Sequence, residues 1–175
     1  MMSHLLVRTV SEANDLMQLV RGSAKRLHDC IAAQQGDPLD MLRRLKFDPI
    51  GCHPVEDRPL NPVEQINQTW AYAVAITAAK QLLMLHPAVG GFKLAPGAHA
   101  SLELDIMSID AGQVGAETFA AVRPGNNKKL KADLDKLAVR SEAYRYVFFM
   151  SPQCPGNRRW PKFERDGIQV WSVDV

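Results

Sequence analysis

The chain has little of what would place it in several large classes of protein. Its three cysteines, Cys30, Cys52 and Cys154, are odd in number and show no C-x-x-C spacing, which argues against a disulfide framework and suits a reducing, cytoplasmic setting. His28 and Cys30 with Cys52 and His53 match no standard zinc-ligand spacing. The opening MMSHLLVRTVSEAND lacks the long apolar core of a signal peptide. No apolar run approaches the ~18 residues that span a bilayer, so a soluble protein is expected. G-x-S-x-G, H-E-x-x-H, the phosphate-binding loop and the dinucleotide fingerprint are all missing, which leaves serine-hydrolase, zinc-protease and nucleotide-enzyme readings without support. Nor does one sign of charge dominate, since the formal net charge is +2.

What is present suits one globular domain over residues 1–175: the hydrophobic fraction is 46%, enough for a full core at this length. The charge is uneven. Between Arg123 and Arg145 seven lysines and arginines face Asp133, Asp135 and Glu142, a local +4 that leaves −2 for the rest. Such a stretch is either a solvated helix face or a surface for anions.

Leu16, Val20, Leu27 and Ile31 recur at helical spacing and predict an amphipathic helix from Ser11 to Gln34, with Ser11 as cap. GDPLDMLRRLKF opens a short second helix, with Asp37 as cap and Pro38 in the first turn. The proline-rich stretch from Phe47 to Pro62 reads as a loop. These parts form an N-terminal helical extension over 1–60. In NPVEQINQTWAYAVAITAAKQLLMLHP, Asn61 caps, Pro62 takes the first helical position and Glu64 falls where a capping box needs it. From Trp70 to Ala79 apolar residues cover nearly all faces, so this helix should be buried on more than one side.

GGFKLAPG, ASLELDIMSID and QVGAETFAAVRPG read as three short strands separated by glycine or proline signals. Period-two alternation puts Leu102, Leu104 and Ile106 on one face and Glu103, Asp105 and Met107 on the other. In the third strand Val114, Ala116, Thr118 and Ala120 oppose Gly115, Glu117, Phe119 and Ala121. Two neighbouring strands then bring Asp105 and Glu117 together. A lone carboxylate among small apolar residues raises a question that Glu117 answers in one of two ways: it faces solvent or a nearby Asn or Lys, or it holds a cation that offsets its charge. After Asn126 and Asn127, read as turn and cap residues, Leu130, Leu134 and Leu137 mark an amphipathic helix with Lys129/Asp133 and Lys131/Asp135 at i, i+4. YRYVFFMSP is a buried strand. DGIQVWSVDV is a terminal strand after a turn at Asp166 and Gly167. Between them PQCPGNRRWPKFER sets Arg158, Arg159, Lys162 and Arg165 around Trp160 and Phe163, a mix suited to phosphate contact and base stacking.

From Asn61 to Pro152 the order is helix, three strands, helix, strand, with an acid in the second strand, an acid in the third and a glutamate in the first helix. This resembles the core of the PD-(D/E)XK, or restriction-endonuclease-like, nuclease superfamily. The likeness covers 61–152 and leaves the C-terminal loop and strand, 153–175, outside. It implies an α/β fold with an αβββαβ core, a mixed central sheet flanked by helices, and the N-terminal helices added. It also implies a Mg²⁺-dependent nuclease, Mn²⁺ serving in its place, that acts on DNA and involves no membrane, with a homodimer compatible with that role. By the resemblance Asp105 and Glu117 are the metal ligands and Glu64 an auxiliary acid. The family's lysine, two residues after the second acid, is here Phe119, and the proline before the first is Leu104. Lys128 or Lys129 is the expected substitute, with Lys93 a further candidate. Lys128, Lys129, Lys131, Arg158, Arg159 and Trp160 are the expected nucleic-acid face. The alternative is a binding or interaction module on the same fold that does not cut. A lysine reaching both acids would favour the enzyme, and a Phe119 plug over them the binder.

Overall fold

The computed structural model describes residues 4–97 and 101–175; Ala100, with which the second expected strand segment begins, lies outside them. Among the described residues, β1 (Leu5–Val7), β4 (Phe92–Leu94), β5 (Ile106–Ser108), β6 (Val114–Ala120), β7 (Tyr144–Met150), β9 (Ile168–Ser172) and β8 (Arg158–Arg159) make one sheet, in that spatial order. The chain is α/β and the sheet is mixed. Successive pairs from β1 through β4 and β5 to β6 are antiparallel, whereas β7 lies parallel to β6 and β9 parallel to β7. A second, two-stranded hairpin joins β2 (Gly51–Cys52) to β3 (Pro59–Leu60) within the stretch expected to be a loop.

The first helix, α1, runs Val10–Ala32 and starts one residue before the expected cap. Thr9, not Ser11, is the cap: its hydroxyl accepts the Glu12 N–H at 3.1 Å. Helix α2 (Pro38–Phe47) begins as read, with Asp37 accepting from the backbone of Leu39 and Asp40. In α3 (Pro62–Leu85) the Asn61 side chain accepts the Glu64 N–H at 2.9 Å. Tyr72 to Ile76, Ala78, Ala79 and Leu82 are buried, as the apolar run predicts. Large side chains among them each contribute about 1.5–3 kcal/mol relative to exposure.

The sheet separates two apolar layers. On one side α1 and α3 pack with Ile106, Val114, Ala116 and Phe148. On the other α4 (Lys129–Ala138) lays Leu130, Leu134 and Leu137 over Phe119, Val147, Phe149 and Val170. The α4 stripe is the one read from the sequence. Its start is not: Lys128 rather than an asparagine occupies the cap position, in the left-handed region at φ 56°, without a side-chain cap.

One alternation fails. Leu104 and Ile106 are both fully buried, yet Leu104 belongs to the α4 layer and Ile106 to the α3 layer. The chain bends through 101–105 and enters the regular strand only at Ile106, so the period of two does not extend back to Leu102. No helix among the described residues is long and apolar enough to cross a membrane.

Candidate active site

Asp105 sits at the end of the bend, one residue before β5. Its carbonyl still accepts from Ala95 N at 2.9 Å, which continues the β4–β5 ladder. β5 and β6 pair Met107 with Gly115 and Ile106 with Ala116; past Ile106 it is the Asp105 side chain that meets β6, at Thr118 N. Asp105 and Glu117 line one cleft and their charges interact, so the expected juxtaposition of the two acids is present, although Asp105 reaches it from a bend and not from a strand.

The Asp105 carboxylate is fixed by Thr118, whose N–H and hydroxyl donate to Oδ2 at 2.8 and 3.0 Å. Burial, then the charge of Glu117, pushes its pKa up to about 7, against the pull of Thr118 and Lys129. Glu117 is only 3% exposed. On a central strand it has no access to an edge, and its partner is Lys136 of α4, whose Nζ donates to Oε1 at 2.7 Å. Of the two readings of this buried glutamate, the structure shows the first, in its form of a bond to a nearby lysine rather than exposure at a strand edge.

The same helix brings Lys129, which donates to Asp133 Oδ1 at 2.6 Å. Asp133 is buried, and its Oδ2 has no hydrogen-bond partner. Burial pushes its pKa up to about 6 despite the Lys129 bond. Burial alone would lower the pKa of Lys129, but the acids, Asp133 foremost, raise it.

Asp105, Glu117, Lys129 and Lys136 line one cleft of about 640 Å³, together with Asn67, Trp70 and Ala71 of α3, Gly97, Leu104 and the end of β6 from Thr118 to Ala120. Phe119 does not plug it. Its ring stacks on Phe149 at 5.6 Å in the α4 layer and gives the cleft an apolar wall.

Of the other expected residues, Glu64 is exposed in the first turn of α3 and does not line the cleft; Asn67 and Ala71, three and seven residues on, do. The cleft thus lies one to two turns further along α3 than the cap. Lys128 is exposed, and neither it nor Lys93, on β4, is among the lining residues. Lys131 pairs with Asp135 at 2.6 Å, and Arg165 bonds the same carboxylate, which ties α4 to the segment after Trp160. Arg159 makes a two-pronged bond to Glu164 at 2.6 and 2.8 Å. Arg158 stacks over Trp160, 3.8 Å from the ring centroid, and the indole N–H donates to Ser172. The basic helix and the tryptophan loop share a sheet face, but much of their charge is internally paired.

Sequence reasoning missed Lys136. The signal was available: Lys129, Asp133 and Lys136 follow i, i+4, i+7 along one flank of the leucine stripe, while Lys128 precedes the helix, at its cap.

For a hard cation the donor set fits. Asp105 Oδ1 and Glu117 Oε2 accept no hydrogen bond among the described residues, and three carboxyls against two ammoniums leave one negative charge in excess when all are ionised. No group of three or more acids, histidines or cysteines able to hold a metal occurs among the described residues, so the protein offers two carboxylates. Mg²⁺ is commonly held by one or two carboxylates, with water and substrate phosphate completing its shell.

Comparison with family models, with characterised proteins and with solved structures returns no match. The functional reading rests on the geometry of this chain.

Proposed function

We propose that the protein is a Mg²⁺-dependent nuclease on a restriction-endonuclease-like core, hydrolysing phosphodiester bonds in DNA. The observation that carries the reading is the meeting of Asp105 and Glu117 from neighbouring segments of the sheet with the Lys136 ammonium from the following helix, at one cleft. The element order α3, β4, β5, β6, α4, β7, with β6 and β7 parallel, supports it.

In this reading Asp105 and Glu117 hold the cation, which when bound supplies positive charge to the phosphate and acidifies water. The chain's own residues do the rest. Thr118 fixes the Asp105 carboxylate. Lys136 orients Glu117 and replaces the lysine whose usual position Phe119 occupies. Lys129, held by Asp133, presents a second ammonium to the negative charge that grows on a phosphoryl oxygen.

The test is incubation with plasmid, linear and single-stranded DNA in Mg²⁺ or Mn²⁺, then with chelator. Cleavage should require the cation, and Glu117→Ala should lower it by about two orders of magnitude or more with the far-ultraviolet dichroism unchanged. An absence of cleavage on every substrate would sink the reading. Binding without cleavage would support the non-cutting module on the same fold, which the engagement of Lys129 and Lys136 in ion pairs favours.

A further inference from the structure

The indole of Trp70 is out of keeping with its helix. From Tyr72 to Ala79 α3 is almost wholly buried, yet Trp70 exposes 40% of its surface, and it does so into the cleft that holds Asp105 and Glu117. The other two tryptophans have their ring N–H groups engaged, Trp160 with Ser172 and Trp171 with Gln169. That of Trp70 makes no hydrogen bond among the described residues. An amphipathic ring left free on both counts wants a flat partner with an apolar face and a polar edge.

Around it the cleft is divided in character. Ala71, Leu104 and Phe119 make apolar wall, whereas Lys129 and Lys136, each near half exposed, supply positive charge. Gly97, which also lines the cleft, adopts φ +107°, and a Cβ there would come 3.0 Å from the Gln68 amide oxygen. A volume of about 640 Å³ falls within the range of small-ligand sites, which admits a nucleotide or two but not a duplex.

We infer that the cleft receives an unpaired stretch of DNA, with one base stacked on Trp70 and the adjoining phosphate turned to Lys129. The inference rests on the nucleic-acid reading of the same site and deepens it by naming the strand state of the substrate. A protein segment is a poorer occupant, since it would have to cover the carboxyl groups and ammoniums on the cleft floor without matching their charge. Base stacking on an aromatic ring tolerates sequence, so little dependence on base identity is expected.

The experiment measures binding of a short oligothymidylate and of a duplex of equal length in chelator, by fluorescence anisotropy. Wild type should prefer the single strand. Trp70→Ala should weaken that binding about tenfold or more, Trp70→Phe much less, and duplex affinity should stay within about twofold. As a second readout, acrylamide quenching of Trp70 in a Trp160→Phe/Trp171→Phe background should fall when oligothymidylate is added. No preference for single strands, an equal loss on both substrates, or unprotected Trp70 fluorescence would overturn the inference. Because no metal is present and Glu117 is untouched, these results are independent of whether the protein cuts.

Discussion

Lys136 and Glu117 form an ion pair across the layer between α4 and the sheet, at 2.7 Å, with the glutamate buried and the lysine near half exposed. Removing the lysine would strand a charge in the interior. Lys136→Met should therefore destabilise the fold by about 2 kcal/mol, a figure discounted for the exposure of the lysine. The double variant Lys136→Met/Glu117→Gln should recover much of that loss, because no buried charge remains. Denaturant unfolding of the three proteins checks both; a double variant less stable than the single one would contradict the buried pair.

Asp105 supplies a dependence on pH. Its folded pKa of about 7 lies above its ordinary value, so the folded chain holds the proton more tightly than the unfolded one. The resulting stability is full in acid and is lost as pH rises through about 7. Asp105→Asn keeps an oxygen for the Thr118 donors and carries no charge. It should exceed wild type in stability at pH 8 by roughly 1–2 kcal/mol, with the difference vanishing towards pH 4. Melting curves at pH 4, 6 and 8 in chelator test this. Equal stability at pH 8 would remove the strained carboxylate.

Added Mg²⁺ should act in the opposite sense on the same residue. If it binds the folded state alone, the melting temperature of wild type rises with its concentration, and that of Asp105→Asn stays flat. A rise of equal size in both proteins would place the cation elsewhere.

In the proposed nuclease, charge pairing decides which basic residues report DNA binding. Lys128 is exposed and pairs with no acid among the described residues, whereas Arg159 is held by Glu164. Lys128→Ala should reduce the slope of log affinity against log salt by about 0.7–0.9, and Arg159→Ala should scarcely change it. Titrations at several KCl concentrations measure the slopes, and identical ones would show that internal pairing does not govern the surface.

Gly115 lies two residues before Glu117, and a Cβ there would come 2.5 Å from Leu104 Cδ1 and 3.1 Å from Glu142 Cγ. Glu142 is itself anchored by Arg140. Gly115→Ala should cost about 1–3 kcal/mol through forced displacement of these groups, read as a lowered melting temperature. An unchanged one would mean that Leu104 has room to yield.

Much of this was legible in the sequence where local rules act alone. Asn61 and Asp37 mark helix starts because a side-chain oxygen close in sequence meets free amides, and the leucines of α4 declare its buried flank. Asp105 and Glu117 were found by strand alternation, although for Asp105 the rule succeeded without its premise, since Leu104 and Ile106 point into different layers. Other features depend on relations between distant segments. β1 pairs Leu5 with Leu94 and is too short to announce itself. The exposure of Trp70 reflects where the cleft opens, which the apolar run around it conceals. Lys128 looked equivalent to Lys129 by composition, and only the helix start separates them, with Lys128 at the cap in the left-handed region and Lys129 in the first turn of α4.

The ionisable groups of the centre, from Asp105 through Glu117, Lys129 and Asp133 to Lys136, come from a single uninterrupted length of chain. Loop closure over so short a span costs little entropy, and contacts close in sequence tend to form early. The charged arrangement therefore draws on no residue of the N-terminal helices, whereas the cleft above it also needs α3, which carries Trp70. Segments before α3 and after β7 contribute no ionisable group to that length, so their part in the centre is confined to packing beneath it.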